Sequence, residues 1–334
     1  QRRTHERKEV AIMAKVYGGI DLGGTSMIAV VADRKGKVLG TSGCATNRTA
    51  KPAALIDEIA EQMQAAARDA GVKMKSLGAI GIGAPGAVDP KKGIVVRAPN
   101  LGWSDVPLAR ELEKRTGPKV ALGNDVQVAI LGEHAFGVAK GLSRVVGIWV
   151  GTGIGGGIII DGELQRGARG AAGEIGHTVL SGEEGPQCGC GRHGCVEALA
   201  SRTAIEREVR ARSTKAKESA ALKIMRERNK PRMTSSVLQR ALAARDPIVT
   251  AVMAEAEHAL GLLAGNLVNI FDPEMVVIGG GIAQRLKEAF VDPIREVAKS
   301  RFLRPDPEGN VRIEHAILGD YSGALGACAL ARNA

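Results

Sequence analysis

The spacing of apolar residues predicts a protein built from alternating strands and helices. From Val16 the chain reads as two short β-prone runs joined by a Gly-Gly turn. Across residues 52–70, apolar residues recur at the three- and four-residue steps of one helix face: Leu55, Ile59, Met63 and Ala66. A strand is predicted at 77–81, a Gly/Pro-rich loop from there through Asn100, and a short helix at 108–116. The pattern is that of a mixed α/β fold.

The second half of the sequence repeats this scheme. A strand predicted at 144–150 is followed by the turn GTGIGGG and a second strand, IIIDGEL. Residues 197–227 are predicted to be largely helical, and a long amphipathic helix at 247–270 precedes a buried strand at 275–278. Strand–turn–strand openings near Ile20 and Val150 therefore predict two similar α/β halves around a cleft, with phosphate-binding loops facing each other.

The predicted domain boundaries follow from these halves. Residues 1–15 are expected to form a disordered extension, and MAKVYGGIDLGG, beginning at Met13, is a natural start for the protein. Residues 16–123 are predicted to form a smaller N-terminal α/β domain, and residues 124–334 a larger C-terminal α/β domain. The last helix is free to pack back on the smaller domain.

Composition narrows the possible environments and partners. The 334 residues include 44 Gly and only 2% aromatic residues, so the core is expected to be aliphatic. A net charge of +10 favours phosphate-bearing partners, although much of it lies in residues 1–15 and 206–232, interpreted as a solvated tail and helix face. The longest apolar run, 145–160, is shorter than the ~20 residues of a membrane span. With no secretory signal visible, a cytoplasmic location is expected.

Two stretches match the spacing G-x-G-x-x-G but do not fit a dinucleotide site. They consist of Gly81, Gly83 and Gly86, and of Gly151, Gly153 and Gly156. A dinucleotide fingerprint requires a helix directly after the glycines, because the helix N-terminus meets the pyrophosphate. The first stretch runs into a proline-containing loop and the second into an Ile-rich strand. Dinucleotide binding is therefore rejected for both.

The glycine-rich turns instead indicate a nucleotide site. In DLGGT and GTGIGGG the amide groups are able to approach phosphate oxygens, and Thr25 and Thr152 add hydroxyl donors. Asp21, at the end of a strand, is a candidate to hold Mg²⁺ through water. Each turn alone fits an ordinary hairpin, but both together with a third cluster at 279–281 favour ATP binding. The predicted nucleotide residues are Asp21, Gly23, Gly24, Thr25, Thr152, Gly153, Gly279 and Gly280.

Three of the five cysteines lie in one short loop and indicate a metal site. Cys188, Cys190 and Cys195 fall within CGCGRHGC, which in a cytosolic protein favours metal binding over a disulfide framework. With one histidine they complete the closed tetrahedral coordination of a structural Zn²⁺. The histidine is either His177 or His193. A reduced thiol cluster without metal is the competing interpretation.

The pair Asn124-Asp125 ends a predicted strand and opens a helix. Phosphoryl transfer needs an acceptor for the proton of the substrate hydroxyl, and a carboxylate at this place would supply it. The competing interpretation is a helix N-cap, a position that favours both Asn and Asp. From the spacing alone the two interpretations are evenly supported.

The order of four motifs, DLGGT, GTGIGGG, GEIGH and CGCGRHGCVE, resembles the ROK family of bacterial sugar kinases, repressors and open reading frames. The similarity runs from Val16 nearly to the end and is closest to the glucokinase branch. VNIFDPEMVVIGGGIA resembles the adenosine-side segment of the family. The resemblance implies a two-domain, actin-like or hexokinase-like (ribonuclease H-like) kinase fold with a cleft between the domains.

The resemblance also implies roles for individual residues. Asp125 becomes the general base, and His177 becomes the histidine of a zinc loop spanning 177–195. Glu197 is implied to contact sugar, although a charge at a helix N-terminus would explain its position as well. The implied sugar-site residues are Gly83, Asn100, Asn124, Asp125, Glu174, His177 and Glu197.

The implied activity is an ATP-dependent hexose kinase, closest to glucokinase, which converts glucose and ATP to glucose 6-phosphate and ADP. N-acetylmannosamine, N-acetylglucosamine, fructose, mannose and allose are alternative acceptors, and polyphosphate an alternative donor. A sugar-sensing repressor of the same family is the other alternative. About fifteen residues precede the first phosphate strand, too few for a DNA-reading domain, so no nucleic acid partner is expected. The resemblance further implies a homodimer or homotetramer.

Overall fold

The described chain divides into two compact units. The computed structural model describes residues 15–214 and 216–333, so the extension predicted at 1–15 lies, apart from Lys15, outside the described residues. The N-terminal unit takes in the described residues up to Phe136 together with those from Asp320 onward, and the second unit is Gly137–Gly319. The boundary therefore follows Phe136, beyond the predicted break at 123/124, and the last helix belongs to the N-terminal unit.

Strands and helices alternate along both units. The strands are β1 (Val16–Leu22), β2 (Ser26–Ala32), β3 (Val38–Ala45), β4 (Leu77–Ala84), β5 (Ala87–Asp89), β6 (Ile94–Ala98), β7 (Trp103–Val106), β8 (Val120–Asn124), β9 (Val145–Val150), β10 (Ile154–Ile160), β11 (Glu163–Leu164), β12 (Met275–Gly279) and β13 (Arg312–His315). The α-helices are α1 (Pro52–Asp69), α2 (Leu108–Thr116), α3 (Asp125–Phe136), α4 (Val196–Ala200), α5 (Arg202–Arg212), α6 (Ala220–Glu227), α7 (Ser235–Ala243), α8 (Pro247–Phe271), α9 (Gly281–Leu286), α10 (Glu288–Lys299) and α11 (Ser322–Arg332).

The main sheet of the N-terminal unit brings three strand ends to one edge. Its order is β3-β2-β1-β4-β8, with β1, β4 and β8 parallel. Asp21 of β1 pairs with Gly83 of β4, and the next residue of β4, Ala84, pairs with Asn124 of β8. Because parallel strands end at the same edge, the carboxyl ends of β1 and β8 place their polar residues close together.

The sheet of the second unit has the same topology. Its order is β11-β10-β9-β12-β13, in which β9 and β10 form a hairpin and β12 runs parallel to both β9 and β13. The register pairs Gly279 with Trp149, so the turn after β9 and the glycines after β12 lie at neighbouring strand ends. Helix α8 covers this sheet as part of the core of the second unit.

Glycines at the crossing of α3 and α11 explain why both helices belong to the N-terminal unit. A Cβ at Gly326 of α11 would overlap the carbonyl O of Val128 in α3. A Cβ at Gly81 of β4 would likewise overlap the carbonyl O of Ala327. Backbones in such close contact leave no room for side chains, so α11 is fixed between the sheet and α3.

The loop predicted after residue 81 is partly wrong. β4 continues to Ala84, and β5, β6 and β7 form a separate antiparallel three-stranded sheet. These strands are only three to five residues long, too short for alternation to identify them, yet they bury Val88, Val95 and Trp103. Trp103 is 2% exposed and packs in the core beneath the loop.

Two helical predictions differ from the structure in detail. Residues 197–227 are interrupted at 213–219, where Ser219 caps α6 by accepting from the Ala221 amide. Helix α8 begins at Pro247 after the Asp246 cap and extends to Phe271. Among the described residues α8 alone is long and apolar enough to cross a membrane, and 61% of its apolar window is buried inside the fold, as expected for a core helix.

Candidate active site

Asp21 and Asp125 place two carboxyl groups at the same edge of the N-terminal sheet. Asp21 lies near the end of β1, and Asp125 is the first residue of α3, directly after β8. Both side chains are half-buried. Burial and, second, the negative charge of Asp125 raise the pKa of Asp21 to about 7. This edge therefore concentrates negative charge, which suits either proton transfer or a divalent cation.

Asn124, rather than Asp125, caps helix α3. Its Oδ1 accepts hydrogen bonds from the amides of Val126 and Gln127, at 3.0 and 3.1 Å. These are the second and third amides of the helix, the usual partners of an N-cap. Nδ2 of Asn124 donates to the carbonyl O of Gly86 at 3.1 Å. The cap thus holds the β4–β5 turn beside the start of α3, and the N-cap interpretation applies to Asn124.

Two glycines of the β4–β5 segment lie close against neighbouring backbone. A Cβ at Gly83 would lie 3.2 Å from Cα of Asp125, tighter than ordinary packing. Gly86 has φ +84°, and a Cβ there would overlap the carbonyl O of Arg97. The predicted sugar residue Gly83 therefore lies directly against the predicted base.

The DLGGT turn lies next to the predicted sugar residue Asn100. The Gly23 amide donates to the carbonyl O of Ser26 at 3.0 Å and closes the β1–β2 hairpin. A Cβ at Gly24 would lie 3.6 Å from Cβ of Asn100, and Asn100 and Thr25 are exposed. The N-terminal unit therefore brings together the predicted donor turn, Asn100 and the carboxylate edge.

The corresponding turn of the second unit is braced by the start of α5. The Gly151 amide donates to the carbonyl O of Gly153 at 2.9 Å. Nη2 of Arg202 donates to Oγ1 of Thr152 at 2.7 Å, and Oγ1 of Thr203 donates to the carbonyl O of Thr152 at 2.7 Å. Sequence reasoning missed Arg202, because its guanidinium reaches the turn only through the packing of α5.

The glycines after β12 lie against the end of β9. Gly280 has φ +89° and precedes α9, and a Cβ there would overlap the carbonyl O of Val150. A Cβ at Gly279 would overlap the indole ring of Trp149. Both predicted nucleotide glycines are thus next to the strand that leads into the Thr152 turn.

Four side chains of types that bind metal ions meet in the segment 177–195 of the second unit. Nδ1 of His177 lies 3.7 Å from Sγ of Cys188, and Sγ of Cys190 lies 3.8 Å from Sγ of Cys195. Since Nδ1 of His177 faces the thiols, Nε2 is on the opposite side of the ring. The side chains whose ligand atoms all lie within 4.8 Å of one another are His177, Cys188, Cys190 and Cys195.

His193 does not belong to this cluster, and neighbouring groups shift the pKa values of two of its cysteines. His193 is outside the cluster, with Nδ1 3.0 Å from the carbonyl O of Gly185. Burial raises the pKa of Cys188 to about 12, whereas a hydrogen bond to Arg192 lowers the pKa of Cys190 to about 6. Cys190 is therefore the cysteine that loses its proton most easily, and a bound cation would favour the thiolate form of Cys188 as well.

Glu197 links the cluster to the phosphate turn. Its Oε2 accepts from the Ile154 amide at 2.9 Å, and its Oε1 lies 3.5 Å from Sγ of Cys188. A Cβ at Gly153 would overlap the Glu197 carboxylate. The carboxylate thus bonds to β10 rather than to the amides of its own helix α4, so the helix-charge interpretation does not account for its position.

Glu174 precedes the short 3-10 turn Ile175–His177 and is exposed. The His177 amide donates to its carbonyl O at 3.1 Å. Gly176, buried within this turn, has no room for a Cβ beside the carbonyl O of Ile154. The segment GEIGH is therefore held against β10 while the Glu174 side chain stays accessible.

Known proteins are similar to this chain in sequence and fold. The model of the ROK family matches residues 17–334. A glucokinase of Thermotoga maritima is 35% identical over 313 residues, which are 93% of this chain and 96% of that protein. A putative xylose repressor of Caldicellulosiruptor is 32% identical over 314 residues, which are 93% of this chain and 77% of that protein.

Solved structures agree with these sequence matches. The crystal structure of a ROK family glucokinase from Streptomyces griseus in complex with glucose and AMPPNP matches with a TM-score of 0.82 at 33% identity, covering 96% of this chain and 100% of that one. The predicted two-domain, hexokinase-like α/β fold class is confirmed by this match. With a family match over nearly its whole length and the family's motifs in their expected places, the chain belongs to the ROK family.

Proposed function

We propose that this protein is an ATP-dependent hexose kinase, most specifically a glucokinase. The observation that carries the proposal is the Asp125 carboxylate directly after β8, whose negative charge contributes to the raised pKa of Asp21, while Asn124 supplies the cap of α3. Oδ1 of Asp125 also accepts from the Val126 amide at 2.9 Å, so the start of α3 orients the carboxylate while Asn124 satisfies the second and third amides. The similarity to proteins named glucokinase supports the same activity.

Asp125 accepts the proton of the sugar hydroxyl in this proposal. The oxygen of the primary hydroxyl attacks the γ-phosphorus of ATP, the bond from that phosphorus to the bridging oxygen breaks, and ADP leaves. The hydroxyl proton passes to Asp125 and then to solvent, which restores the carboxylate. Gly83, Asn100 and Asn124 bind the sugar in the same unit.

The donor phosphates are proposed to bind to the two glycine turns. In the N-terminal unit these are the amides of Gly23 and Gly24 with the Thr25 hydroxyl; in the second unit, Thr152 and Gly153, with Gly279 and Gly280 towards the nucleoside. The pKa of about 7 for Asp21 fits a Mg²⁺ site, because a cation relieves the repulsion between Asp21 and Asp125. Bound Mg²⁺ would neutralise phosphate charge.

The zinc loop is proposed to orient sugar-binding residues. Two thiolates bound at about 2.3 Å in a tetrahedron lie about 3.8 Å apart. The observed separation of Cys190 and Cys195, 3.8 Å, fits this value. With Nδ1 of His177 facing the metal, its Nε2 remains to bind a sugar hydroxyl, together with Glu174 and Glu197.

Two alternatives have a basis in the same family. Another hexose, namely N-acetylmannosamine, N-acetylglucosamine, fructose, mannose or allose, would use the same base with different hydroxyl partners. A sugar-sensing repressor would need hydroxyl partners but neither a proton acceptor nor a metal-binding carboxylate. The Asp21–Asp125 pair therefore favours the kinase.

The test is a sugar panel with ATP and Mg²⁺, with ADP release coupled to an optical signal. We expect the highest kcat/KM with glucose and formation of glucose 6-phosphate. A preference for another hexose would correct the substrate but keep the activity. No phosphorylation of any sugar, combined with salt-dependent binding to operator-like DNA, would support the repressor instead.

Two further expectations belong to the same proposal. A cytoplasmic location suits a protein whose cysteine cluster works in the reduced state. The homodimer or homotetramer implied by the family resemblance stays a prediction, and light scattering of the purified protein measures it.

A further inference from the structure

Four arginines of the second unit line one cavity next to the Thr152 turn. The cavity measures about 380 Å³, a size typical of small-ligand pockets. Two elements supply the arginines: α5 and the segment before α7. The side chains that matter are Thr152, Arg202, Glu206, Arg207, Arg210 and Arg232. Four guanidinium groups therefore face a single carboxylate.

The partners of these arginines show which charges are already satisfied. Arg210 pairs with Glu206 at 2.7 Å, and Glu206 also accepts the Met233 amide at 2.8 Å. Arg207 bonds to Glu208 and to the carbonyl O of Ala198. The one carboxylate of the cavity is thus already fully engaged.

Arg202 and Arg232 have no carboxylate partner among the described residues. Among the described residues the Arg202 guanidinium donates only to the Thr152 hydroxyl, and Arg232 is exposed with no hydrogen bond to another described residue. Burial, followed by the positive charge of Arg232, lowers the pKa of Arg202, and Glu206 opposes this only in part. Two unneutralised guanidinium groups that repel each other across a cavity are stabilised by a bound anion.

We propose that this arginine pocket binds a condensed phosphate chain, with Arg202 joining the pocket to the Thr152 turn. Guanidinium groups bind phosphate oxygens through paired hydrogen bonds, and successive phosphates of a chain match several guanidiniums better than one orthophosphate does. The inference deepens the proposed function, since the chain is either the triphosphate of ATP or inorganic polyphosphate as donor. It also gives the basic segment 206–232 a role.

The binding experiment titrates the full chain with orthophosphate, pyrophosphate and tripolyphosphate by calorimetry at fixed ionic strength. We expect affinity to rise with each added phosphate. Arg232→Ala should weaken tripolyphosphate binding about tenfold, the loss of one charge-assisted contact. Arg226→Ala is the matched control, because Arg226 pairs with Glu218 in the same basic segment but does not line the cavity. It should change the affinity by less than about twofold.

Donor assays distinguish the two sources of the chain. Tripolyphosphate that inhibits competitively against ATP, with no transfer from long-chain polyphosphate, identifies the ATP triphosphate. Glucose phosphorylation by polyphosphate identifies the inorganic chain. Either outcome supports the pocket if Arg202→Lys and Arg232→Ala raise the corresponding KM while Arg226→Ala does not.

One result would overturn the inference: tripolyphosphate binding that is absent, or unchanged in Arg232→Ala. This outcome is separate from failure of the proposed kinase. A protein that phosphorylates no sugar yet binds tripolyphosphate through Arg232 would refute the kinase and keep the pocket. A protein that phosphorylates a sugar but whose tripolyphosphate binding is unchanged in Arg232→Ala would keep the proposed kinase and refute the pocket.

Discussion

The Asp21 carboxyl group lies at the same edge of the N-terminal sheet as the Asp125 carboxylate, close enough for the two charges to interact. Burial of Asp21 and, second, the charge of Asp125 raise the pKa of Asp21 to about 7. A carboxyl group that releases its proton near neutral pH responds strongly to a cation or to a change of the neighbouring charge. The first prediction follows from this pair.

Asp21→Asn should stabilise the metal-free protein at pH 8 more than at pH 5. In the unfolded chain the Asp21 carboxyl has an ordinary pKa of about 3.9. Between this pH and about pH 7, Asp21 is protonated in the folded protein but ionised in the unfolded chain. The stability of the wild type therefore falls as pH rises through this window. The gain from Asn is then at most about 4 kcal/mol at pH 8 and smaller at pH 5.

Urea unfolding at the two pH values, without Mg²⁺ or nucleotide, measures this difference. Asp33→Asn is the control, because Asp33 lies outside the carboxylate edge. An equal effect of Asp21→Asn at both pH values would mean that Asp21 is not protonated in the folded protein.

Removing the side-chain cap of α3 should lower the stability of the protein, because two backbone amides lose their hydrogen-bond acceptor. Asn124→Ala is expected to lower the unfolding free energy by about 1 kcal/mol. Asn124→Ser keeps an oxygen for the Val126 and Gln127 amides but loses the bond to Gly86, so it should recover most of the loss. Denaturant titration compares the variants. No loss in Asn124→Ala would show that another group caps the helix.

The crossing of α3 and α11 should not tolerate a single methyl group. Gly326→Ala would drive Cβ into the Val128 carbonyl, so we expect a loss of about 3 kcal/mol or more, typical of severe overpacking. Gly71→Ala is the matched control, since Gly71 has φ +68° but nothing within 4 Å of the added Cβ. It should cost only about 1 kcal/mol. Thermal unfolding of both variants tests the difference, and equal losses would contradict it.

The cysteine cluster predicts about one Zn²⁺ per chain. Cys195→Ser removes a ligand and should lose both the metal and thermal stability. Cys44→Ser should retain both, because Cys44 lies outside the cluster. Elemental analysis and thermal unfolding check the pair. Wild-type protein purified without any metal, or a Cys195→Ser protein that keeps its zinc, would remove the site.

Much of the candidate site was predictable because it depends on local signals. A strand that ends in DLGGT, an Asn-Asp pair at a strand–helix junction and three cysteines in eight residues are each visible in the sequence. Parallel pairing of β1, β4 and β8 then brings Asp21 and Asp125 to one edge. The choice of His177 over His193 rested on the family resemblance, and the structure places His177 in the cluster.

What the sequence did not reveal depends on packing between distant segments. The sequence gives no signal for Arg202, because only the packing of α5 brings its guanidinium to the Thr152 hydroxyl. The boundary after Phe136 depends on the contact between α3 and α11, in which Val128 and Gly326 lie almost 200 residues apart along the chain. β5, β6 and β7 were missed because strands of three to five residues give too weak a pattern.

The most direct test of the proposed function is the turnover of Asp125→Asn. Asn keeps a side-chain oxygen for the Val126 amide but is not able to accept a proton from the sugar. We predict that calorimetry finds glucose binding nearly unchanged while kcat falls by at least about 100-fold, the usual contribution of a general base. A variant that binds glucose and retains turnover within a few-fold of wild type would contradict the assignment of Asp125 as the proton acceptor.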